Sequence, residues 1–233
     1  SSSSSSSSLS RPADGSPSSS SSQWLHHLKD TAALFYGSAY VRYLAVFQMS
    51  FGFGQTFADS YLNSEIVVES LGLSSVGWVS AMIPTTAALA SPVLSALGKT
   101  KSSKRFWLVF GSLMICSVGV IALIKNKQQL ISAKWWISAI YILLGIARGV
   151  FENTGKATIV DFYPNENAAS AFSNMLLWSG FAFGMAFLSS GFLSQRMLGS
   201  ILTALSLAAA GTQTTTLPTV PTVPTVPTVP TVP

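Results

Sequence analysis

Apolar residues run through the middle of this chain in stretches too long for a soluble core. They lie near Tyr43–Leu62, Val76–Leu97, Phe106–Ile124, Trp136–Phe162, Ala169–Leu193 and Met197–Ala210, separated by short polar clusters. About 20 consecutive apolar residues cross a hydrocarbon layer roughly 30 Å thick. The pattern therefore predicts six transmembrane helices and an all-α membrane fold. Trp107, Trp135, Trp136 and Tyr163 fall near the ends of these stretches, where amphipathic rings favour the headgroup layer.

The remaining sequence divides around this block, and the 233 residues leave little room for a water-soluble domain. Residues 1–22 are a serine-rich tail, expected to be disordered; they lack the apolar stretch of a secretory signal, although serine-rich, acid-poor tails also occur in organelle transit peptides. Residues 23–42 form a lead-in in which Gln23–Asp30 reads as a short surface helix with Trp24, Leu25 and Leu28 toward lipid. Residues 43–210 are the six-span domain. Residues 211–233 end in Thr-Val-Pro repeated five times from Thr219 to Pro233, where every third residue lacks an amide donor and disorder or extended chain follows.

Composition narrows the function. Charged residues make up 9% of the chain, against about 25% in soluble domains. The formal charge of +5 comes without the basic blocks or zinc-finger spacing of a nucleic-acid binder, so no nucleic-acid partner is expected. The cations mark topology instead. Gly98–Arg105 holds four cations and no anion, whereas the connection after the first span carries Glu65 and Glu69. Short cationic loops stay cytoplasmic, which favours both termini on the cytoplasmic side, against the opposing Lys125, Lys127 and Lys134. An enzyme is not expected: the only histidines, His26 and His27, precede the first span, so no serine–histidine dyad assembles. Cys116 is the single cysteine, and neither a metal site nor a cofactor motif is present.

The candidate chemistry lies in the polar residues within the spans. Arg148, Glu152 and Lys156 recur every four residues in the fourth span and fall within about 80° of arc at helical spacing, with Asn153 and Thr154 alongside. Charges at mid-bilayer cost about 2.5 to 3.5 kcal/mol on insertion scales. The expectation is that Arg148 and Glu152 neutralise each other while facing the bundle interior or a wet cavity. That arrangement reads either as a solute or ion pathway or as helix glue, with Lys156 and Asp161 reaching toward water. In the first span Gln48, Gln55, Asp59 and Asn63 recur at helical spacing, with Asp59 toward the wet interface. Gly145 with Gly149 and Gly180 with Gly184 are Gly-x-x-x-Gly steps expected to pack helices. Pro84 is a hinge or a passive bend in the second span.

Two segments carry a family likeness. Gly52-Phe53-Gly54-Gln55-Thr56-Phe57-Ala58-Asp59-Ser60-Tyr61, followed by Leu71-Gly72 and Gly77, resembles the helix opening the C-terminal half of uncoordinated-93-like proteins, a branch of the major facilitator superfamily. Gly145-Ile146-Ala147, then Ala171-Phe172-Ser173-Asn174 with Leu177-Trp178, resembles the tenth and eleventh helices of that family, where an Ala-Phe-x-Asn motif precedes a Trp. The basic stretch Gly98–Arg105 falls where facilitator halves carry a basic turn.

The resemblance covers about Tyr43–Ala210 and implies one six-helix half of a facilitator. It departs from the family at Arg148, Phe151 and Glu152, where an acidic residue, a Trp and a Gln are usual, and at Leu176, where a basic residue is usual. What it implies is secondary transport of a small solute or ion, or else an accessory role bound to a channel or receptor. A facilitator site forms between two halves, so the partners implied are the lipid bilayer and a second half: a missing N-terminal half, a second copy or another chain.

Overall fold

A computed structural model describes residue 29 and residues 31–98, 100–163 and 166–215. Among the described residues the chain is all helix, built on six long rods. Rod α1 begins as an α-helix over Ala39–Thr56, widens into a π-helix over Phe57–Val67 and closes with Val68–Leu71. Rod α2 is Val76–Leu97 and α3 is Lys101–Ile124. Rod α4 comprises Trp135–Val150, a π-turn over Phe151–Gly155, and Lys156–Phe162. Rod α5 is Glu166–Ser190 and α6 is Gln195–Thr215. A short helix, Lys127–Ser132, joins α3 to α4.

Local chemistry sets the rod ends. The Ser38 hydroxyl accepts from the Val41 amide and that of Thr100 from the Ser103 amide, capping α1 and α3. Gly72 stops α1 at φ 86°, a left-handed backbone that favours glycine. Asn126 and Gln129 form a capping box at the short helix. Tyr163 ends α4 immediately before Pro164, a position from which an α-helix does not continue.

Close approach of small residues holds the rods together. The α3–α6 contact is the most extensive, and there Gly199 is tightly enclosed: a Cβ would lie 3.1 Å from the Gly119 carbonyl and from Ala122 Cβ. Gly119 reciprocates against Thr203, and Gly52 abuts the Ser179 backbone of α5. The other major contacts are α1 with α5, α2 with α4, α1 with α6 and α3 with α4. This pattern is unchanged when α1, α2 and α3 are exchanged with α4, α5 and α6. Each rod of the first triplet therefore has a counterpart in the second, and the two π-segments fall in the counterpart rods α1 and α4.

Four helices, Leu73–Leu97, Ser103–Ile124, Trp135–Phe162 and Ala168–Ser190, are long and apolar enough to cross a membrane. The chain is a membrane protein on that ground. The first and last of the six expected spans are helical but more polar than the other four. Arg42, Gln48, Gln55 and Asp59 interrupt α1, and Gln195, Arg196, Thr203, Ser206 and Gln213 interrupt α6. Rod α6 also runs past Ala210 to Thr215, into the stretch expected to be tail. The expected surface helix over Gln23–Asp30 lies outside the described residues except for Lys29, as do residues 1–28 and 216–233 of the tails. Helix α2 stays continuous through Pro84 and Pro92.

Candidate functional site

Both polar clusters straddle the start of a π-helical segment. A π-turn holds an extra residue, loosens the backbone ladder and is found disproportionately at functional sites. In α1, the Gln55 Nε2 donates to Asp59 Oδ2 at 3.2 Å, across the junction where the π-helix begins. Four residues on, Asn63 is buried and central: its Nδ2 donates to Ser80 Oγ on α2 at 3.0 Å, and its Oδ1 accepts from Tyr141 Oη on α4 at 2.6 Å. The Tyr141 hydroxyl also lies 3.4 Å from the Ala58 carbonyl. Three rods are thus tied through one amide. Tyr141 and Ser80 were not foreseen from the sequence, because neither belongs to a polar run.

In α4, Arg148 Nε donates to Glu152 Oε1 at 2.9 Å. Arg148 stands at the middle of the span Trp135–Phe162. Asn153 Nδ2 donates to Ser91 Oγ on α2 at 2.6 Å and to the Gly149 carbonyl at 2.9 Å. The Arg148 and Glu152 side chains are 34% and 41% exposed, so of the two settings expected for the pair, bundle interior or wet cavity, the six rods by themselves do not supply the first. The π-turn at Phe151–Gly155 also disrupts the even 100° step, so Lys156 is exposed and makes no bond to Glu152. Asp161, expected to reach water, is exposed and also pairs with Lys104 Nζ of α3 at 2.5 Å.

Rods α1 and α4 meet along one seam. Phe151 stacks on Phe51 with ring centroids 3.7 Å apart and on Phe47 at 5.8 Å. With Tyr141 reaching Ala58 and Asn63, these contacts run α1 and α4 antiparallel and set Gln55 and Asp59 at the level of residues 141–148. Gln48 is separate from this group. Its side chain is fully buried, and neither amide atom has a hydrogen-bond partner, a burial that costs about 1 to 3 kcal/mol per unsatisfied group.

The glycine steps divide. A Cβ at Gly145 would lie 2.6 Å from Thr86 Cβ and 2.9 Å from the Ile83 carbonyl, and one at Gly149 would lie 3.2 Å from Leu94 Cδ1, so this step packs α4 on α2. Gly180 and Gly184 have nothing within 4 Å, so the packing expected of them has no neighbour among the described residues. The Ala171, Phe172, Asn174 and Trp178 positions hold the lead-in chain. Asn174 Nδ2 donates to the Thr31 carbonyl at 2.8 Å, Trp178 stacks on Phe35 with centroids 4.9 Å apart, and Ala171 and Phe172 pack in the adjoining core with Leu44 and Phe47.

Among the described residues no group of three or more His, Cys, Asp or Glu side chains is placed to hold a metal ion. Comparison with models of known families, with curated proteins and with solved structures finds no match.

Proposed function

We propose that the chain is one six-helix half of a facilitator-type membrane transporter of the uncoordinated-93-like branch, with a small solute or ion passing the seam between α1 and α4. The observation that carries this reading is the Arg148–Glu152 pair, set at mid-span where α4 enters its π-turn and partly exposed on the bundle's flank. A charged pair at that depth is expensive against lipid and is favoured where it meets water or another polar surface. A second half placed against this flank supplies that surface, with Gln55, Asp59 and Asn153 as further pathway residues. The exchange pattern between the two rod triplets supports the same reading, because facilitator halves are built from nested inverted three-helix repeats. Both termini then lie on the cytoplasmic side, the side of the basic stretch Gly98–Arg105.

The test is flux in liposomes reconstituted with the full chain and loaded with pH- and potassium-sensitive dyes. Glu152→Gln removes the carboxylate and abolishes flux while leaving the folded fraction unchanged. Undiminished flux in that variant removes the pathway reading.

A second reading, an accessory subunit bound to a channel or receptor, is favoured by the outward faces of α2 and α5. Only 22% and 28% of their apolar windows are buried. It predicts stable copurification with another membrane protein from mild detergent; recovery of the chain alone counts against it.

A further inference from the structure

At the Lys104 end of the bundle a cavity of about 310 Å³ opens between α2, the start of α3 and the last turns of α4. Its polar lining is Ser95, Lys104, Asn153 and Thr154, and its apolar wall is Leu94 and Ala157. That volume is at the lower end of small-ligand sites, which run from about 300 to 1,000 Å³.

The lining has one sign of charge. Lys104 brings an ammonium, and no carboxylate lines the cavity. Asp161 takes one Lys104 N–H at 2.5 Å from beyond the lining, which orients the ammonium and leaves two of its three donors. The Lys104 side chain is only 15% exposed, so those donors are shielded from bulk water. The Ser95 and Thr154 hydroxyls have no hydrogen-bond partner among the described residues, whereas the Asn153 amide is already fixed by Ser91 and Gly149. Arg105 follows Lys104 on α3, a second cation beside the one that lines the cavity. A cation finds no anionic ligand here, and a neutral solute leaves the ammonium donors unmet.

We propose that this cavity binds a small oxyanion, a carboxylate or phosphate group on a short body. Its oxygens accept from Lys104 Nζ and from the Thr154 and Ser95 hydroxyls, while the body lies on Leu94 and Ala157. Asp161 takes one ammonium proton from outside the cavity and competes with the anion for Lys104. The site stands independently of transport, because it is read by occupancy and not by flux. The same chemistry is offered by a soluble anion and by the headgroup of an anionic lipid, since the cavity lies at the bundle end where Tyr163 meets Ser38.

The test is equilibrium binding of inorganic phosphate and of acetate to the full chain in nanodiscs of phosphatidylcholine alone, repeated with phosphatidylglycerol added. Saturable binding of either probe is expected. Lys104→Gln weakens it at least about tenfold, the loss of one charge-assisted bond. Lys104→Arg keeps it within about threefold, because the charge remains, and Asp161→Asn binds as tightly as the unaltered chain or more tightly. Equal affinity in both discs identifies a soluble ligand. Displacement of the probe by phosphatidylglycerol, or retention of that lipid through purification, identifies the headgroup if it depends on Lys104. The proposal is overturned by no saturable binding together with no Lys104-dependent lipid retention. It is equally overturned by the same loss in Lys104→Gln and Asp161→Asn, which would make the ion pair a purely structural clamp.

Discussion

Single residues decide how closely the rods approach and which polar atoms go unmet. Gly145 faces α2 with no space for a side chain, whereas Gly184 faces open space, although both stand in the same sequence step. Gly145→Leu is expected to destabilise by about 3 kcal/mol or to prevent folding, as forced overpacking does. Gly184→Leu leaves the unfolding temperature of the isolated chain in detergent unchanged. Tyr141→Phe removes the 2.6 Å bond to Asn63 and is expected to cost about 1 kcal/mol in the same unfolding measurement. At the opposite end from Lys104, Glu65 and Glu69 accept from Lys127 Nζ at 2.7 and 2.9 Å and hold its ammonium above the ordinary lysine value, through the bond to Glu65 first. A lysine raised in the fold contributes stability in full below its unfolded value and loses it as pH rises through its folded value. The gap in stability between the unaltered chain and Lys127→Met is therefore constant from pH 6 to 9 and closes only above the lysine range. A gap that closes within that window counts against the linkage.

At the scale of elements, the two π-segments are what distinguish this bundle from a set of regular rods. Both lie in the rods that carry the intramembrane polar residues, and both bring an asparagine to α2: Asn63 to Ser80, Asn153 to Ser91. The extra residue of the turn at Phe151–Gly155 sets the rotation of everything after it. Inserting one alanine after Gly155 adds a residue beyond the one the turn already absorbs and is expected to swing Lys156–Phe162 by about one residue step, or 100°. Ile159 then leaves the core it shares with Phe47 and Leu108, and Asp161 leaves Lys104. Hydrogen exchange in detergent measures this: protection is lost over Lys156–Phe162 and the start of α3, and kept in α5 and α6. Unchanged protection would mean that the π-turn widens to absorb the added residue. At Pro84, where a hinge or a passive bend is expected, α2 remains helical, as it does at Pro92.

For the whole molecule, the outer surface is the informative part. Trp78, Leu89 and Val93 on α2 and Leu176, Leu188 and Phe192 near α5 are all more than half exposed, a distribution suited to lipid. Brominated lipid is expected to quench Trp78 strongly, and the chain is expected to precipitate when detergent is withdrawn without lipid. A soluble, compact chain in plain buffer contradicts the membrane assignment. The Arg148–Glu152 pair on the same outer surface is the exception, and it is where a second half is proposed to dock.

The sequence alone determined the fold class and the rough limits of the rods. Long apolar runs have one stable solution in a bilayer, helices whose backbone bonds close within the segment. That is why Trp136–Phe162 was legible to within a residue of the observed Trp135–Phe162. The sequence also exposed Arg148 and Glu152, because an ionisable pair at helical spacing stands out in apolar surroundings. The tertiary structure decided the rest. Whether a glycine step packs depends on which rod lies opposite, and only the fold separates Gly145 from Gly184. A π-turn leaves no mark in residue spacing, so the one between Glu152 and Lys156 is visible only in the fold. Contacts such as Tyr141 with Asn63 and Lys104 with Asp161 join residues 78 and 57 positions apart, and local pattern carries no information over that distance.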